Sequence, residues 1–97
     1  IHATVFDGDE SEFKGRINGT ERASRTDYTV NLDMSNTDFG IMSNSGQNRH
    51  IDGAVGDIMI FNTNDITVVQ KAEGYLAHKW GATALLPSGH PYKSAAP

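Results

Sequence analysis

Short runs of alternating apolar and polar residues fill the first part of the chain, and one run with a three-to-four-residue period lies near its end. "IHATVFDG" predicts a strand that stops at the turn pair Asp7-Gly8. In "EFKGRING", Phe13, Gly15 and Ile17 share one face and Glu12, Lys14 and Arg16 the other, a half-buried strand with its apolar face inward. Asn18-Gly19 then supplies the positive φ values of a tight hairpin. "DYTVNLD" alternates again, with Tyr28, Val30 and Leu32 inward, and "DFGIMS" predicts a shorter strand. Residues 44–56 form a long polar loop. "GDIMIFN" is apolar on both faces, as a central strand covered on two sides would be.

The longer period predicts a single helix over about 65–80. Asp65 is its N-cap. Val69, Ala72, Leu76 and Trp80 form one apolar stripe, which makes Trp80 a buried core residue and not a ligand contact. Gly81 stands where a left-handed C′ residue belongs, and Pro87 and Pro91 prevent a restart. Gly74 costs the helix about 1 kcal/mol relative to Ala, so close backbone approach to a sheet is expected there.

The ending carries a resemblance. "GDIMIFN", then "EGYLAHKWG" (Glu73 to Gly81), then "LPSGHPY" (Leu86 to Tyr92) resemble the close of bacterial laminin-G-like, concanavalin A-like domains, and "FKGRING" resembles an earlier strand of that family. The match is strong over the last 45 or so residues and one of layout only before them. Two departures stand out. Asn64 holds an apolar position at the helix start, and Val68 replaces the acidic residue of a capping box, so the helix start is weak and Val68 exposed. A jelly roll needs about eight strands, and five candidates are present. The resemblance therefore implies an all-β, antiparallel jelly-roll sandwich that is partial, with one C-terminal helix, residues 1–97 being one domain or the C-terminal part of one. It also implies a bacterial extracellular or cell-surface setting.

Composition sharpens this picture. The 97 residues carry 37% hydrophobic and 21% charged side chains, which suits one small soluble domain with a lean core. A net charge of −4 argues against nucleic acid and against a basic membrane patch. No apolar run approaches the ~20 residues of a membrane span. Without cysteine there are no disulfides and no thiolate metal ligands. The chain opens at Ile1, inside a strand-like run, as a mature product or a piece of a longer protein would.

Candidate chemistry is sparse. Asp7, Asp9, Glu10 and Glu12 gather four carboxylates, hard oxygen ligands that suit calcium; an acidic, solvated turn has the same composition. Catalysis of the kind some jelly-roll glucanases perform needs three acids on one strand face, and Ser11 stands where the third belongs. His2, His50, His78 and His90 show no metal-ligand spacing, and His90 reads as a structural hydrogen-bonder in the tail. Asn44, Gln47, Asn48, Arg49, His50 and Asp52 bring planar amides and charges to one loop, chemistry that suits sugar hydroxyls or a peptide.

The sequence thus points to a non-catalytic binding or adhesion module of a larger secreted or surface protein, with glycans the foremost ligand and calcium the one cofactor to consider. The alternatives are part of a glycoside hydrolase or lyase, and an assembly element. Open strand edges and an uncovered apolar face predict a homodimer, or pairing with a missing N-terminal segment.

Overall fold

A computed structural model describes residues 1–7, 12–27, 43–44, 47–50 and 52–97. Strands β1 (His2–Asp7), β2 (Glu12–Ile17) and β3 (Thr20–Arg25) form an antiparallel sheet in sequence order. β4 (Ser43–Asn44) pairs with β5 (Gln47–His50) in a separate two-stranded ladder. Helix α1 (Ile66–Lys79) and a 3-10 turn (Thr83–Leu85) follow.

This arrangement overturns the all-β jelly-roll sandwich. A 14-residue helix is a principal element beside a three-stranded sheet, so the described residues make an α+β unit. "GDIMIFN" forms no strand. It has no regular structure and is exposed, with Ile58, Met59, Ile60 and Phe61 all open to solvent. A central strand needs hydrogen-bonded neighbours, and among the described residues none pairs with this segment. The predicted strands "DYTVNLD" and "DFGIMS" lie outside the described residues, apart from Asp27 and Ser43. The stretch expected to be a loop from 44 contributes β4 and β5.

The β2–β3 hairpin follows its local rule. Asn18 (φ 50°) and Gly19 (φ 78°) are both left-handed, as a tight turn of this hand requires. Past Gly15 the register shifts by one residue, which adds twist to the sheet. The sheet presents the opposite face to the one expected. Arg16 points at α1 and is buried, whereas Ile17 is 49% exposed. Phe6 and Phe13 pack against each other on that outer face, their ring centroids 5.1 Å apart.

The reason for the inversion is Glu73. It is 2% exposed, in the middle of the face that α1 turns inward. Its Oε1 accepts from Arg16 Nε at 2.8 Å, and its Oε2 accepts from Arg16 Nη2 at 3.1 Å. Arg16 Nη2 also donates to the Gly19 carbonyl at 2.7 Å. On the other side His90 Nε2 stands 3.3 Å from Glu73 Oε2. The Tyr92 amide donates to His90 Nδ1 at 3.2 Å, which leaves Nε2 as the ring nitrogen that donates to Glu73. A buried carboxylate needs such partners, and the face bearing Arg16 turns inward to supply one.

The helix ends and the tail lock the same place. Asp65 Oδ1 accepts from the Thr67 amide at 2.8 Å, the expected N-cap. Gly81, at φ 63°, closes the helix with Gly81 N–H on His78 O and Ala82 N–H on Ala77 O, a Schellman pattern. The tail then returns along α1. His78 Nε2 donates to the Tyr92 carbonyl at 3.0 Å, and Lys93 Nζ donates to the Thr83 and Leu86 carbonyls. Gly74 packs against this tail and not against the sheet: a Cβ there would stand 2.4 Å from Tyr92 Cβ. At Gly19 a Cβ would stand 2.8 Å from His90 Cδ2, so the hairpin tip lies directly on the tail.

Glu73→Ala is expected to cost about 3–5 kcal/mol, because it leaves the Arg16 charge buried and unpaired. Urea denaturation checks this; a loss below 1 kcal/mol would show that water reaches the guanidinium.

Candidate functional site

The cluster with the most chemical potential is sealed. Glu73 and His90 form a carboxylate–imidazole pair of the kind that performs acid–base work. Their side chains are only 2% and 1% exposed, however, and among the described residues no fully buried side-chain nitrogen or oxygen lacks a partner. The Glu73–His90 pair is closed to solvent and only the Arg16 edge borders a cleft, so the cluster is a tie between β2, α1 and the tail.

Among the described residues, accessible polar chemistry gathers at both ends of α1. The first feature is a cleft of about 310 Å³ between the inner face of the sheet and the start of α1, lined by Val5, Asp7, Glu12, Lys14, Arg16, Glu21, Asn64 and Ile66. Strand alternation puts Glu12, Lys14 and Arg16 on one face of β2, and register places Asp7 opposite Glu12 and Val5 opposite Lys14. Lys14 Nζ donates to Glu12 Oε2 at 2.7 Å, and this hydrogen bond holds the ammonium above its ordinary pKa. Asn64 Nδ2 donates to Asp7.

The second feature lies at the other end of α1. Trp80 is not a core residue, contrary to expectation: it is the helix C-cap and is 59% exposed. The apolar stripe ends at Leu76 and Ala77, and the C-cap residue swings away from it. The indole Nε1 donates to Asp57 Oδ2 at 2.7 Å, while Lys79 Nζ donates to Asp57 Oδ1 at 2.8 Å. The Lys79 hydrogen bond, then that of Trp80, holds the Asp57 carboxyl below its ordinary range. Asp57 in turn raises Lys79. The ammonium approaches two rings, 6.0 Å from the Tyr75 centroid and 5.8 Å from that of Trp80.

The predicted site residues divide unevenly. Asp7 and Glu12 come together in the cleft, while Asp9 and Glu10 lie outside the described residues. Among the described residues no three His, Cys, Asp or Glu side chains gather as a metal site would need. Glu12 already carries a cation, the Lys14 ammonium. Asn44 lies on β4 and Gln47, Asn48, Arg49 and His50 on β5, where the Asn44–Gln47 pairing closes the ladder; Asp52 is exposed. Sequence reasoning missed Lys14, Glu21 and Asn64 as cleft residues and Asp57 as the partner of Trp80. Asn64 did carry a signal, being polar at a position where an apolar residue was expected.

No family model, curated protein or solved structure matches the chain. Among the described residues no helix is long and apolar enough to cross a membrane.

The Asp57 contacts give a pH dependence with a definite sign. A carboxyl held below its ordinary pKa stabilises the folded state above the unfolded value, and that contribution is lost as pH falls through the folded value. Lys79, held above its ordinary value, loses its contribution only as pH rises through the alkaline range. Acidification below about pH 4, the ordinary aspartate range, should therefore release the indole. Trp80 is the chain's single tryptophan, so its fluorescence reads this directly. The emission of wild type should change below that pH, and Asp57→Asn should remove the transition.

Proposed function

We propose that this chain is a non-catalytic binding module of an extracellular or cell-surface protein, and that its ligand is a glycan. The observation that carries this reading is the lining of the cleft at the start of α1. Carboxylates (Asp7, Glu12, Glu21), an ammonium (Lys14) and an amide (Asn64) converge beside the apolar Val5 and Ile66. Sugar hydroxyls donate and accept at once, and this mixture offers both kinds of partner. A single-sign lining would favour an ion, and an all-apolar one a lipid or a peptide side chain. The amides and charges on β4 and β5 add to the same chemistry by residue type.

Glu21 is exposed, so its removal tests the cleft without disturbing the fold. Glu21→Ala should weaken saccharide binding by roughly tenfold, the loss of about one hydrogen bond to a charged group, with an unchanged melting temperature. Isothermal calorimetry decides it, and equal affinity in the variant would exclude the cleft.

A second reading has its own support. Val55, Ile58, Met59, Ile60 and Phe61 are between 38% and 74% exposed along one segment of seven residues without strand or helix. An exposed apolar run of this length favours association with a second copy of the chain. In this reading the chain is an assembly element. Analytical ultracentrifugation at micromolar concentration should show a dimer that Ile58→Lys with Ile60→Lys dissociates; a monomeric wild type would dismiss it.

A further inference from the structure

An exposed indole is usually free to change rotamer, but that of Trp80 is held at two points. Nε1 is bound to Asp57, and the ring lies so close to the backbone of residue 56 that a Cβ on Gly56 would come within 2.9 Å of Cζ2 and 3.1 Å of Cε2. The ring is therefore fixed while more than half of its surface faces water. Fixing an aromatic group before a ligand arrives removes an entropic cost of binding. Tyr75, 47% exposed, flanks the same ammonium one helical turn earlier.

We propose that Trp80, with Tyr75, Asp57 and Lys79, forms a stacking subsite for a pyranose ring of a glycan. The proposal rests on the glycan reading above and gives it a second contact surface. A pyranose presents a face of C–H bonds and a rim of hydroxyls. The exposed indole matches the face. The rim meets Asp57, each of whose oxygens receives one hydrogen bond and keeps accepting capacity, and Lys79, whose ammonium uses one of three donors on Asp57. Other occupants fit less well. A quaternary or methylated ammonium would be repelled by the Lys79 charge, 5.8 Å from the Trp80 centroid and 6.0 Å from that of Tyr75, whereas a neutral sugar is not. A stacked nucleobase would bring phosphates toward the Asp57 carboxylate on a chain of net charge −4. An apolar peptide side chain would desolvate Asp57 and Lys79 without giving their remaining valences a partner.

The subsite and the cleft occupy opposite ends of α1, roughly 20 Å apart by the helical rise. Their variants therefore report separately.

The experiment titrates the full chain with cellohexaose, xylohexaose and chitohexaose, following Trp80 emission and binding heat. At least one saccharide should shift the emission saturably. Trp80→Ala should lose about tenfold or more in affinity, the scale of a well-placed aromatic anchor, and Trp80→Tyr should recover part of it. Asp57→Ala keeps the ring but frees it, and should lose several-fold. Circular dichroism of the helix confirms folding. If Trp80→Ala does not fold, Asp57→Ala and Tyr75→Ala decide in its place. A saccharide bound equally well by wild type and these variants overturns the subsite; if Glu21→Ala alone weakens that binding, the cleft reading survives. No heat and no emission change with any of the three saccharides overturns both.

Discussion

The meeting of sheet, helix and tail in this chain leans on one carboxylate. Glu73 receives the Arg16 guanidinium from the sheet and the His90 imidazole from the tail, so a strand, a helix and a proline-punctuated return meet at a single side chain. The apolar alternative is meagre. Among the described residues only Ala77 and Leu86 are fully buried hydrophobics, which amounts to a few kcal/mol at most. Burying charge yields little net stability, because desolvation consumes much of the attraction. What the cluster does supply is direction: it determines which face of the sheet meets the helix, and it does so against the apolar pattern of β2.

That conflict separates what could be read from the sequence from what could not. The Asn18-Gly19 hairpin, the Asp65 cap, the Gly81 terminus and the structural role of His90 all follow from rules acting within a few residues, and all stand in the structure. The inward turn of Arg16 does not, because its cause lies 57 positions away. A charged residue in an alternating strand reads as outward unless its partner is known. Glu73 falls within the helix's inward arc, and its burial was the missing half of the pair. The same blindness affected Trp80. Helical spacing assigned it to the stripe, whereas its hydrogen bond to Asp57, 23 positions away, holds it outside. Of the candidate site, the carboxylates Asp7 and Glu12 were legible as a local cluster, but the lysine, amide and distant glutamate that make the cleft were not.

The distribution of polar groups gives the molecule a clear division of labour. The buried Glu73–His90 pair has its partners and offers nothing to solvent. The half-exposed pairs at the two ends of α1, Lys14 with Glu12 and Lys79 with Asp57, keep unused donors and acceptors in reach of water. Ion pairs of this exposed kind contribute little to stability. Their interest lies in chemistry held in a defined geometry, three of the four side chains being carried by the sheet and the helix.

The closure between Arg16 and Glu73 also governs how this protein can be lengthened. It joins the hairpin to the helix across the whole intervening chain, and for a flexible closure each doubling of that chain adds only about 0.6 kcal/mol of entropic cost. Breaking the closure itself costs several times more. An added segment that leaves Arg16, Glu73 and His90 in place and interrupts neither the hairpin nor α1 is therefore a minor burden when it enters between Arg16 and Glu73 at the surface. The scaffold can carry extra sequence there as a graft, since the length of the path matters far less than the two residues that end it.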